Sequence, residues 1–143
     1  MLSEVILTSE KKIPVNGGDI THVIKSKSQG FIDFGEAYFS NIDYRFIKAW
    51  KRHKLMTLNL FVPVGKVKFV IFDDRLHDRG EYREFVLSEE DGYRLTIPPM
   101  VWFGFMGLKE KTSMLLNIAN ICHDPYEVDR EDIDKFPYNW REL

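Results

Sequence analysis

The chain has 143 residues, 44% of them hydrophobic and 14% aromatic, with 20 basic against 22 acidic side chains and a net charge of −2. That length suits one domain spanning 1–143 with a real core; the apolar share excludes a disordered chain, and the charge balance offers no broad basic face for nucleic acid. The single cysteine, Cys122, rules out an internal disulfide, no run approaches the roughly 20 apolar residues of a membrane span, and the short, acidic N-terminal run is unlike a signal peptide, so we expect a cytoplasmic protein without a membrane partner.

In chain order, short strands alternate with turn residues. Pro14, Gly17-Gly18-Asp19 and Gln29-Gly30 punctuate the first thirty residues, as hairpin connections do. Ala37 to Ser40 and Arg45 to Trp50 are short and rich in aromatic and β-branched residues. Leu55 to Val62 follows, closed by a turn at Pro63-Val64-Gly65. Val67 to Phe72 is the clearest strand and ends at Asp73-Asp74, after which the charged stretch Leu76 to Tyr82 reads as a loop. Glu84 to Leu87 and Tyr93 to Ile97 are strands flanking the turn Ser88 to Gly92, and Pro98-Pro99 stops the second. Ser113 to Asn120 alternates only loosely, which predicts a strand buried on both faces. The acidic tail Pro125 to Phe136, with Val128, Ile133 and Phe136 as anchors, predicts a short C-terminal helix. The expected fold class is all-β, one small barrel with that helix at its end.

Two segments carry a family resemblance. The stretch from Tyr38 to His53 lies without a gap over N-x-S-x-S-x-x-G-V-L-R-G-L-H-Y-Q of the dTDP-4-dehydrorhamnose 3,5-epimerases, which are RmlC-like cupins. Their L-S-x-x-N and L-x-I-P-x-G-F-A-H-G-F runs resemble Leu87 to Asp91 and Leu95 to Phe105. The sister dTDP-4-keto-6-deoxyglucose 3,4-ketoisomerases are also similar: G-x-H-A-H-K lies over Ala49 to Lys54, and I-P-P-M-x-W over Ile97 to Trp102. A motif ending Y-D-E-x-D falls near His123 to Glu127. Together the similarity covers roughly Gly35 to Arg130, and it is the ordered set of motifs that is specific.

The resemblance implies a jelly-roll cupin that forms a homodimer and takes a nucleotide-linked 4-keto sugar. It implies epimerisation through an enolate, without metal or organic cofactor, in cell-surface polysaccharide synthesis. The ketoisomerase reaction is the alternative, and a silent cupin that binds the sugar nucleotide without turnover is a third. The positions of a cupin's four metal ligands hold Lys51, His53, Leu58 and Phe103, and one imidazole does not hold a metal tightly. The family's base falls at Lys51, its second-strand His at Phe103 and its tyrosine region at Cys122 or His123. Its late carboxylate falls beyond the last residue.

Removing a proton beside a ketone needs a base near neutral pKa, an acid for the other face and a group that stabilises the enolate. Lys51 and His53 are two apart, so a strand puts both on one face. His53 is then the base and Lys51 the electrophile or phosphate ligand; alternatively Lys51, beside other cations in an aromatic cavity, is itself the base. His123, Tyr38 and Tyr44 are candidate acids. Arg45, Lys48 and Arg94 suit a diphosphate; Trp50, Trp102, Phe103 and Phe105 suit a base or a sugar face. Asn117 and Asn120 suit sugar hydroxyls. The plain alternative is that His53 and His123 are structural and the aromatics are core. His22 and His77 receive no role, and Cys122 lies on the opposite strand face from its neighbour His123.

Overall fold

The computed structural model describes residues 4–75 and 80–141; His77 lies outside the described residues. The strands are β1 (Ile6–Ser9), β2 (Lys12–Val15), β3 (Gly18–Thr21), β4 (Glu36–Ile42), β5 (Ile47–His53) and β6 (Leu58–Val64). They continue as β7 (Lys66–Asp73), β8 (Glu81–Ser88), β9 (Tyr93–Ile97), β10 (Trp102–Gly107), β11 (Ser113–Ala119) and β12 (Val128–Arg130). Two five-stranded sheets form, ordered β1-β9-β6-β11-β4 and β12-β5-β10-β7-β8, with β2-β3 as a separate hairpin. All named pairings are antiparallel. The all-β class is what the strand spacing predicts, and the two sheets are consistent with the jelly roll that the resemblance implies.

The alternation of β7 shows how the core is made. Val67, Phe69 and Ile71 turn inward to the core between the sheets, with Leu58, Leu60, Val62, Leu95 and Leu115. Val70 and Phe72 turn outward into a second cluster around Trp50, Trp102, Met106 and Trp140. A strand covered on both faces reads as a continuous apolar run, which is why β7 stands out in the sequence. The connection from β6 to β7, which passes from one sheet to the other, turns at Gly65, whose φ of +88° suits glycine and whose place a Cβ would contest with the Ser113 side chain.

Three expectations are corrected. Ser113 to Ala119 alternates between buried and half-buried residues, so β11 has one core face and one partly open face. Glu81 and Tyr82, expected in a loop, begin β8 because β7 pairs with them through Asp73↔Glu81 and Phe72↔Tyr82. The C-terminal helix is replaced by two three-residue 3-10 turns, Pro125–Glu127 and Ile133–Lys135, on either side of β12. The backbone of this tail is captured by β5 instead of by itself. Trp50 and Glu131 exchange N–H···O bonds of 2.9 and 3.1 Å, and Lys54 N donates to Glu127 O at 2.7 Å. Beyond them Phe136, Tyr138 and Trp140 pack around Trp50, and burial of one Phe-sized ring contributes about 2–3 kcal/mol, more than the propensity of a short exposed helix.

Candidate active site

A cavity of about 460 Å³ opens between the sheets, with walls from β4, β6 and β11 on one side and β5, β7, β10 and β12 on the other. Its floor is apolar, from Leu58, Leu60, Phe69 and Leu115; Phe103 and Phe105 form one flank. The polar groups are Tyr38, Ser40, Lys48, Lys51, Arg130 and Glu131. An apolar bowl with few polar groups on its walls is what small-ligand sites look like.

Strict alternation would put Lys48 and Lys51 on opposite faces of β5, because they are three apart. A bulge changes this. Lys51 pairs with Phe103 and Lys48 with Phe105, so three steps on β5 match two on β10. Both side chains therefore line the cavity, beside the two phenylalanines. Gly104 faces the bulge, where a Cβ would lie 2.6 Å from the Ala49 Cβ and 2.9 Å from the Trp140 ring. Lys48 Nζ donates to Asn41 O at 3.0 Å. Lys51 is paired across the strands with Arg130 of β12. Burial, then the nearby Arg130 and Lys48 cations, hold the Lys51 amine below its ordinary value, although Glu127 opposes this.

No bulge intervenes between Lys51 and His53, so they share a face of β5. His53 is buried and stacks at 6.0 Å on Phe103, which lines the cavity. Its Nδ1–H donates to Glu127 Oε1, while Glu127 Oε2 accepts from the N–H groups of Leu55 at 3.1 Å and Met56 at 3.2 Å. Those bonds, with His53 itself, outweigh burial and hold the Glu127 carboxyl below its usual range. An ionised partner on Nδ1 leaves the lone pair of the neutral ring on Nε2, which has no hydrogen-bond partner in the described structure. Burial keeps the imidazole below its ordinary pKa, only partly offset by Glu127.

Across the cavity, Asn117 pairs in register with Tyr38 and donates from Nδ2 to the Tyr38 hydroxyl at 3.0 Å. Asn117 Oδ1 accepts from Asn59 N at 3.2 Å, which fixes the amide. The phenol thus receives a hydrogen bond and keeps its own proton to donate. Burial raises its pKa, so it stays protonated.

The structure brings Lys51, Lys48, Tyr38, Phe103 and Phe105 to one cavity, and sets His53 and Asn117 behind its walls. Trp50 borders the cavity, but its ring belongs to the outer cluster and its Nε1 donates to Ile133 O at 3.1 Å. Trp102 is not brought there: its ring lies in the same outer cluster under Arg52, and its Nε1 donates to Asp74 at 2.9 Å. Arg94 is not brought there either. It is fully buried beneath the segment before β4, bonded to Asn59, Thr96, Glu10 and Gln29 O. That arginine ties the segment to the sheet and has no donor left for a diphosphate. Arg45 is exposed, with a positive φ of 60°, and lies over the Tyr44 ring. His123 and Cys122 are exposed in the loop after β11, where Cys122 Sγ donates to Gly35 O, and His22 is exposed after β3. Asn120 Oδ1 accepts from Thr57 N at 2.7 Å.

Sequence reasoning missed Glu127 and Arg130. Glu127 had a signal in the motif near His123 to Glu127; Arg130 had none, since its place depends on β12 pairing with β5. Among the described residues no group of three or more His, Cys, Asp or Glu is arranged to hold a metal ion, and no helix is long and apolar enough to cross a membrane.

No family model matches the chain. Over 126 residues it is 30% identical to the probable low-salt glycan biosynthesis epimerase Agl13 of Haloferax volcanii, covering 85% of this chain and 79% of that protein. The chain belongs to the RmlC-like sugar epimerases and isomerases. This RmlC-like protein also matches a solved dTDP sugar isomerase from Desulfovibrio desulfuricans G20, with a TM-score of 0.89 and 33% identity over 97% of this chain and 92% of that one. QdtA, a sugar 3,4-ketoisomerase from Thermoanaerobacterium thermosaccharolyticum solved in complex with TDP, shares the RmlC-like fold: TM-score 0.75, 24% identity, 92% of this chain and 90% of that one.

Proposed function

We propose that this chain epimerises a nucleotide-linked 4-keto deoxysugar by proton transfer through an enolate, in the cytoplasmic stage of glycan synthesis. The observation that carries the reading is the His53 imidazole, backed by the Glu127 carboxylate and stacked on a wall of the cavity that Lys51 lines. His53 Nε2 takes the proton beside the ketone, which requires the wall covering that buried atom to move aside when the sugar enters, and Lys51 faces the oxygen where negative charge develops. Tyr38, held by Asn117, returns a proton from the opposite wall. Phe103 and Phe105 cover a sugar face. Lys48 and Arg130, at the cavity, hold the diphosphate in place of Arg45 and Arg94. Removing and returning a proton changes no oxidation state, so the reading requires no redox partner. The active unit in this reading is a homodimer.

A 3,4-ketoisomerase is the second reading, favoured by Ile97-Pro98-Pro99-Met100-Val101-Trp102 and compatible with the fold shared with QdtA. The test is NMR of a dTDP-4-keto-6-deoxyhexose incubated with the protein in deuterated water. Loss of a proton signal next to C4, with the carbonyl left in place, is the expected result. Carbonyl migration to C3 would favour the ketoisomerase. Binding of the sugar nucleotide with no exchange would leave a silent cupin.

A further inference from the structure

The base of the proposed reaction is shut away from the sugar it serves. His53 is 4% exposed, and its Nε2 is buried without a hydrogen-bond partner. Among the described residues Tyr82, Trp140 and Thr8 also bury a polar atom without a partner. The first two belong to the outer cluster and the third to β1, so His53 Nε2 is the one set beside the cavity. A buried lone pair that no donor satisfies is unfavourable, and its persistence calls for a reason. The other ring nitrogen is held by Glu127, so the imidazole cannot turn toward the cavity without losing that bond. The part that moves is therefore the cover.

Phe103 is that cover. Its ring and the imidazole are nearly parallel, 13° apart, with centroids at 6.0 Å. Phe103 lines the cavity and His53 does not, so the phenyl ring stands between the imidazole and the space a sugar would fill. The ring has room to leave. The next residue along β10 is Gly104, and about 460 Å³ of cavity lies in front of it, enough for a change of rotamer. From these contacts we infer that Phe103 is a gate over the base: its ring covers His53 in the free protein and turns off the imidazole onto the sugar when the substrate enters. The inference rests on the sugar-epimerase reading above and deepens it.

The two positions of the ring have different effects. Closed, it keeps water off Nε2, and burial is the largest cause of the lowered His53 pKa. Open, it covers a sugar face, so the contact given up on the imidazole is regained on the substrate. A ligand opens such a gate only by favouring the open form, and this stack is how the sugar does so. The charged groups acting on the imidazole are Lys51 on β5 and Glu127 and Arg130 on the tail. Replacing Phe103 leaves all three charges in place. Loss of the ring should therefore raise the His53 pKa in the free protein, through hydration alone.

The test is carbethoxylation by diethyl pyrocarbonate without substrate, mapped by peptide mass, with deuterium exchange into dTDP-4-keto-6-deoxyglucose followed in parallel against pH and sugar concentration. At about pH 7.5 covered and open imidazoles are both largely neutral, so the reagent reads cover and not charge. The exposed His22 and His123 serve as internal standards. Wild-type His53 should react about 10–1,000-fold more slowly than they do, the range for an open form populated at about 0.1–10%. Phe103→Ala should bring it within a few-fold of the standards; Phe103→Leu, which keeps more apolar volume, carries the test if near-ultraviolet circular dichroism shows the alanine variant unfolded. Phe69→Leu, which loosens the cavity floor, should leave His53 protected. In Phe103→Leu the acid limb of kcat/KM, set in the free protein, should move up toward 6.5, while that of kcat, set with sugar bound, stays in place. Fast labelling of His53 in the wild type, continued protection in the folded Phe103 variants, equal deprotection in Phe69→Leu, or an unmoved kcat/KM limb would each overturn the gate. A wild-type protein that exchanges no sugar proton would instead overturn the epimerase reading, and the labelling would still decide whether Phe103 covers His53.

Discussion

In the proposed mechanism His53 is the base, and one contact sets its form. Its Nδ1–H is held by Glu127, so the lone pair stays on Nε2, and burial keeps the ring neutral at physiological pH. The proton-exchange rate should rise with pH through a value below the ordinary 6.5 and then level off. Glu127→Gln should move that acid limb lower still, because the carboxylate raises the His53 pKa. The amide also donates to Nδ1, which forces the proton onto Nε2 and removes the basic nitrogen, so the exchange rate should fall by about 10²–10⁴-fold. A pH–rate profile of both proteins checks this; an unchanged profile would separate Glu127 from the chemistry. The same shift has a stability consequence. Below pH 6.5 the unfolded chain takes up the His53 proton before the folded one does, so this group lowers stability as the solution is acidified. Glu127 acts with the same sign at lower pH: its stabilisation is present above 4.5 and is lost as pH falls through its depressed folded value.

The β5 bulge decides which side chains the cavity receives. Lys48 and Lys51 share a face because one extra residue on β5 is absorbed opposite Gly104. The absence of a side chain there is a packing requirement, since Ala49 and the Trp140 ring occupy the space. Gly104→Ala should cost about 1–3 kcal/mol in urea unfolding, the usual range for overpacking, and should also slow exchange by displacing Lys48 or Lys51. A neutral result in both would mean that the tail gives way without moving the bulge. Strands such as Tyr93–Ile97 were legible in the sequence because turn residues bound them on both sides. The bulge was not, since nothing local in Ile47 to His53 distinguishes a regular strand from a bulged one. The tail misled for a related reason: Val128, Ile133 and Phe136 suit a helix face, but the backbone partners that capture it lie on β5, far away in sequence.

At the scale of the molecule, two apolar masses are covered and a third is not. The core between the sheets and the outer cluster under the tail are both closed. Around the edge strand β4, Ile32, Phe34 and Phe39 are 64%, 62% and 65% exposed in the single chain. An edge strand with large apolar side chains invites a partner, and a second copy fits the homodimer implied by the family. Sedimentation should therefore give a mass near twice 16.9 kDa, and Phe39→Asp should shift it toward the single chain. A wild-type protein that sediments as one chain at micromolar concentration would count against the dimer.

The sequence by itself determined the fold class, through short strands bounded by turn residues, and the family, through ordered motifs from Tyr38 to Phe105. It also pointed to Lys51 and His53 as neighbours on one strand face, because alternation is a local property of an extended backbone. Tertiary structure alone decided that Glu127 backs His53, that Arg130 faces the cavity, and that Arg94 and Trp102 do not. Each of these depends on which distant segment covers a given face, and that is set by the energy of burying whole surfaces between sheets and tail. No window of neighbouring residues contains that information.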